Sequence, residues 1–105
     1  MAMQTQIRLK KDSSVRTYGM RASAIPYREQ IEFSLDTSEK VIIDFAGSDV
    51  TQSFIDELIG ALILKRGRNV ISHLAFENCT AEVKGIIKFV VYDRVKQLQE
   101  RQVAA

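Results

Sequence analysis

The spacing of apolar positions along this chain switches between a period of two and a period near 3.6, and each stretch predicts one kind of element. Gln4 to Leu9 alternates, with Ile7 and Leu9 on one side, and reads as an edge strand. Lys11 to Gly19 is rich in turn formers and reads as a loop, with a short strand over Val15 to Tyr18. A helix is expected from about Ser23 to Leu35. Ser23 would cap it, and Pro26 would fall in the first turn, where a missing N–H does no harm. Ile25, Ile31 and Leu35 give that helix an incomplete apolar stripe.

Val41 to Phe45 is a continuous apolar run broken only by Asp44, the pattern of a central strand covered on both faces. Gly47 allows a tight turn after it. The next helix is expected over Gln52 to Lys65. Asp49, Thr51 and Ser53 could each cap its start, and Ser53 with Asp56 fits a capping box in which aspartate replaces glutamate. Its apolar positions cover more than one face, so this helix is either deeply buried or shared with a partner. Gly67 stands where a C-terminal cap belongs. Val70 to Phe76 reads as a strand in which His73 shares a face with Ile71 and Ala75. Asn78 to Thr80 is a turn, and Thr80 can cap a last helix over Ala81 to Arg101, followed by a frayed tail from Val103. Strands alternating with helices imply α/β architecture: one small domain over residues 1–105, with three or four mostly parallel or mixed strands. The helices would lie mainly on one sheet face and leave the other partly open.

Composition narrows the function classes. The chain has 105 residues, is 46% hydrophobic and 27% charged, and carries a net charge of +2. These are values of an ordinary globular domain with room for one modest core. Basic residues are scattered apart from Lys10–Lys11 and Lys65–Arg68, which reads as a solvated surface and argues against nucleic-acid binding. No apolar run approaches the roughly 20 residues of a membrane span. A single cysteine, Cys79, excludes an internal disulfide and suits a reducing, cytoplasmic setting.

No catalytic signature is present, and no cofactor is implied. His73 is the only histidine, so a zinc site is not expected. Cys79 near a helix start suits a small buried residue better than a reactive thiol. The chemistry concentrates in the strand-to-helix turn, where Asp49, Thr51, Gln52, Ser53, Asp56 and Glu57 crowd together. Caps and helix-dipole partners account for some of them, but the group is more polar than a cap requires. Ser53 is the residue to single out. A phosphate there would be stabilised by free helix N–H groups, and would add about −1.5 to −2 charges beside Asp49, Asp56 and Glu57.

The run Val41 to Gly47, the later run Gln52 to Glu57, the preceding Arg21 and Ala24, and the following Asn78, Glu82 and Val83 together resemble the STAS-like domain family of unknown function. The resemblance is strongest over residues 21–94. It implies likeness to anti-sigma-factor antagonists, small bacterial α/β proteins that bind histidine-kinase-like ATPases and are phosphorylated on a serine at the corresponding helix start. By that likeness Ser53 is the phosphorylation position, although Gln52-Ser53-Phe54-Ile55 here differs from the Asp-Ser-Ser-Gly of the antagonists. The expectation is a non-enzymatic regulatory module that binds a partner protein through the 47–57 turn. Phe54, Ile55 and Ile59 would supply apolar contact, and Asp49, Thr51, Gln52, Asp56 and Glu57 polar specificity. The alternative is a self-associating adaptor, a homodimer that buries the 52–65 helix across a two-fold axis with no phospho-switch.

Overall fold

A computed structural model describes residues 4–9, 17–18 and 21–103 of the chain. β1 (Gln4–Arg8), β3 (Lys40–Asp44) and β5 (Leu74–Glu77) form a parallel sheet in the order β1-β3-β5, so the Val41 run is central as its composition predicts. β2 (Thr17–Tyr18) and β4 (Asp49–Val50) make a separate two-stranded parallel pair. Ile7, Ile43 and Phe76 share one register position, and Ile7 and Ile43 are buried beneath the helices. Gln6, Ile42 and Ala75 share the opposite face and remain half-buried or exposed. The central strand is therefore covered on one face, not on both, because the described helices pack on a single side of the sheet.

α1 (Arg21–Thr37) packs on β1 and β3. It begins earlier than Ser23, so Ser23 is an interior residue and not the cap, and Pro26 lies in the second turn. Pro26 removes the N–H that would bond the Ala22 carbonyl, at an exposed position close to the helix start. The next helix is continuous from Gln52 to Arg66 but changes pitch. α2 (Gln52–Ile55) runs into a π-helical segment (Asp56–Gly60), and α3 (Ala61–Arg66) completes it. In the π segment Ala61 donates to the Asp56 carbonyl, five residues back. Phe54, Ile55, Leu58, Ile59, Leu62 and Ile63 are all fully buried. This helix is thus largely enclosed within the monomer, between α1 and α4 (Ala81–Val103), with Gln52, Lys65 and Arg66 its exposed residues.

Gly67 ends the helix as expected, with φ of 89° and its N–H bonded to the Ile63 carbonyl at 2.8 Å. The predicted strand over Val70 to Phe76 is mostly a 3-10 helix (Arg68–His73), and β5 starts only at Leu74. His73 therefore shares no strand face with Ile71 and Ala75; it closes the 3-10 turn and its Nδ1 meets the Glu39 carbonyl at 3.0 Å. Thr80 caps α4 by accepting from the Val83 N–H at 3.1 Å. α4 is helical to Val103; residues 104–105 of the expected frayed tail, and most of the expected loop from Lys11, lie outside the described residues. No described helix is long and apolar enough to cross a membrane.

Candidate functional site

The edge begins at Asp44. Its Oδ1 accepts from the Ala46 N–H at 2.8 Å and from the Asn78 amide at 2.9 Å. Ala46 and Gly47 have φ of 53° and 70°, and Ser48 donates back to the Phe45 carbonyl at 2.9 Å. These are the marks of a type I′ turn, in which both central residues are left-handed. The turn is also tied to the β5–α4 connection, because Phe45 donates to the Glu77 carbonyl and Gly47 to the Asn78 carbonyl. The Asn78 amide, then the Ala46 N–H, hold the Asp44 carboxyl below its ordinary range despite its burial, and Arg8 adds to the effect. Asp44 was not among the residues expected to do chemistry at this edge. Only its isolation inside an apolar run marked it.

Thr51 is the helix cap, with extended backbone and its hydroxyl accepting from the Phe54 N–H at 3.2 Å. Ser53 lies two residues inside that cap, within the first turn, and is not itself the cap. The expected capping box does not form, since the Asp56 carboxylate is claimed elsewhere. Asp49 and Gln52 are exposed, and Thr51 and Ser53 are half-buried. Phe54, Ile55 and Ile59, expected to supply surface contact, have no exposed area and belong to the core. The Phe54 ring packs at 6.4 Å from Tyr27. Truncating Phe54 removes core volume, at about 3–5 kcal/mol, so it cannot serve as a clean surface mutation.

Asp56 and Glu57 turn inward. Asp56 Oδ1 accepts from Arg94 Nε at 2.6 Å, and Oδ2 accepts from Arg94 Nη2 at 2.5 Å and Arg21 Nη1 at 2.8 Å. Glu57 accepts from Arg28 at 2.8 Å, and Arg28 lies 3.8 Å from Glu32, which pairs with Lys65 at 2.8 Å. The charges form one chain along the seam of α1 with the second helix. Burial alone would raise the Asp56 pKa, but hydrogen bonds from Arg94 and then Arg21 outweigh it and hold the carboxyl low. Arg21 is pushed up in turn by its bond to Asp56. Gly60 makes room for this arrangement: a Cβ there would come 2.5 Å from Asp56 Oδ1 and 3.2 Å from Arg94 Nε.

What the edge leaves open is a small polar cleft of about 290 Å³ between the helix start and α4. Gln52 and Ser53 stand on one side, Phe89 and Asp93 on the other, with the Arg21–Asp56–Arg94 bridge as its floor. Phe89 is 53% exposed, a large apolar ring on a polar rim. The α4 residues of this cleft were not anticipated, because no local pattern links them to the 52–57 run. Elsewhere, burial pushes the Cys79 thiol up, which makes it less reactive. Among the described residues no three of His, Cys, Asp and Glu gather as a metal-binding set.

A family model described as a STAS-like domain of unknown function matches residues 23–84, more than half of the chain. It spans the Asp44 turn, the helix start and the Thr80 cap. No curated protein and no solved structure matched the chain.

Proposed function

The chain belongs to the STAS-like domain family of unknown function, and from that premise we propose that it is a non-enzymatic regulatory module that binds a partner protein through the 47–57 rim. The partner class that fits the family likeness is a histidine-kinase-like ATPase in the bacterial cytoplasm. The observation that carries this reading is the cleft beside the half-buried Ser53, where Gln52 and the half-exposed Phe89 face solvent above an ionic floor. The working surface is then Asp49, Thr51, Gln52 and Ser53 with Phe89, while Asp56 and Glu57 hold the surface in shape from beneath. A phosphate on Ser53 would enter a cleft already holding Asp56 and Asp93 against Arg21 and Arg94, and would redistribute that ion pairing.

The test is site-specific photo-crosslinking in the native host, with the crosslinker at position 52 or at Lys40 on the opposite side of the sheet. Capture of an ATPase from position 52 alone, weakened by Ser53→Asp, is the expected outcome. Capture of nothing at position 52 overturns the reading. A product containing only a second copy of the chain favours the homodimer alternative.

A further inference from the structure

The far flank of α4, away from the cleft, carries a second surface. β5 and α4 leave a seam with a depression of about 300 Å³, which continues along the surface of α4 into a second of about 640 Å³ that shares Lys88 and Val91 with it and adds Tyr92. Phe76, Val91 and Val95 are half-buried along its floor, and Phe76 is backed by the fully buried Phe45 ring at 6.3 Å. Lys84, Lys88 and Lys96 are exposed along its rim, and among the described residues no acidic one lines either depression. From Lys84 to Lys96 the helix rises about 18 Å, room for roughly three turns of a second helix.

We propose that this seam is a docking groove for an acidic amphipathic helix of a partner protein. The floor would take apolar side chains at i, i+3 and i+4 spacing, and Asp or Glu on the flank of the same helix would meet the three lysines. Charge complementarity selects this occupant. A second copy of the chain docked by the same face would bring this lysine rim against its own kind, which a two-fold contact repeats on both sides. A lipid surface fits less well because, among the described residues lining the two depressions, Tyr92 is the only apolar side chain that is exposed, while Val91 and Val95 are half-buried, whereas membrane insertion needs several apolar side chains that project. The groove is separate from the Ser53 cleft and does not depend on it.

The proposal is tested with the full chain and three labelled peptides: one of leucine and glutamate at amphipathic helical spacing, a twin with lysine for glutamate, and a scrambled glutamate peptide. Fluorescence anisotropy should register binding of the first alone. Lys84→Glu/Lys88→Glu/Lys96→Glu should weaken it by at least about tenfold, in the range found for close charge pairs across interfaces, while Lys40→Glu should not. Bound peptide should also slow alkylation of Cys79, which lines the groove. All three substitutions are at exposed positions, and a circular-dichroism melt verifies that the variant folds. Absence of binding, equal binding of the lysine twin, or insensitivity to the triple reversal overturns the proposal. So does lysine-dependent capture of phosphatidylglycerol vesicles with no peptide bound, or lysine-sensitive self-association in sedimentation.

Discussion

Asp44 and Asp56 are both recessed carboxylates with depressed pKa values, yet they are held by opposite kinds of partner. Asp44 works mainly through one oxygen, which receives two neutral donors; its other oxygen has, among the described residues, the more distant Gln6 Nε2 at 3.5 Å and Arg8 Nε at 3.7 Å. Asp56 uses both oxygens against two guanidiniums. The first aspartate shapes a turn and needs an acceptor at one point in space. The second joins three helices and needs a charge. The same residue type in the same family pattern thus does geometric work at one position and electrostatic work at the other.

Acidification acts on both at once and has the broadest effect. Each folded-state pKa lies below the unfolded value of about 3.9, so the stabilisation is complete above that value and is lost as pH falls through the folded value. Thermal melts should be insensitive to these two groups from neutrality down to about pH 5, then drop below about pH 4, less steeply when either aspartate is replaced. Among substitutions, Asp56→Asn should be the most damaging, at about 2–3 kcal/mol, because it strands the half-buried Arg94 without its counter-charge. Denaturant titration measures this, and adding Arg94→Leu should recover part of the loss. Gly60→Ala comes next. Its new methyl collides with the Asp56 carboxylate, and a net loss of about 1 kcal/mol remains after the helix-propensity gain of alanine. Asp44→Asn should be mildest, below about 1 kcal/mol, since the asparagine oxygen can accept the same two N–H groups. A loss at position 44 as large as that at position 56 would erase the distinction between the two aspartates.

The sequence made the locally encoded parts of this fold legible. The central strand, Gly47, Gly67 and Thr80 were readable because each signal lies within a few residues of its effect: an apolar run, a left-handed φ or a hydroxyl cap. Val70 and Ile71 satisfy a strand pattern, yet Arg68–His73 is a 3-10 helix that follows the left-handed Gly67. The site was half legible. The crowding of polar residues at 49–57 was plain, but nothing local says that Asp56 pairs with residues 35 and 38 positions away, or that Phe54 faces inward. Those facts depend on how three helices meet, and a pitch change over Asp56–Gly60 that no residue pattern announces.

The described sheet contains only parallel pairings, and β1, β3 and β5 are each separated by a helical crossover. No hairpin can therefore nucleate this sheet; each ladder must wait for a long loop to close. Such a topology makes refolding slow relative to a helical bundle of equal length. It also puts the Arg28–Glu57 contact, which clasps the first crossover to the second, among the interactions whose timing sets how long the apolar strand edges stay unprotected during synthesis.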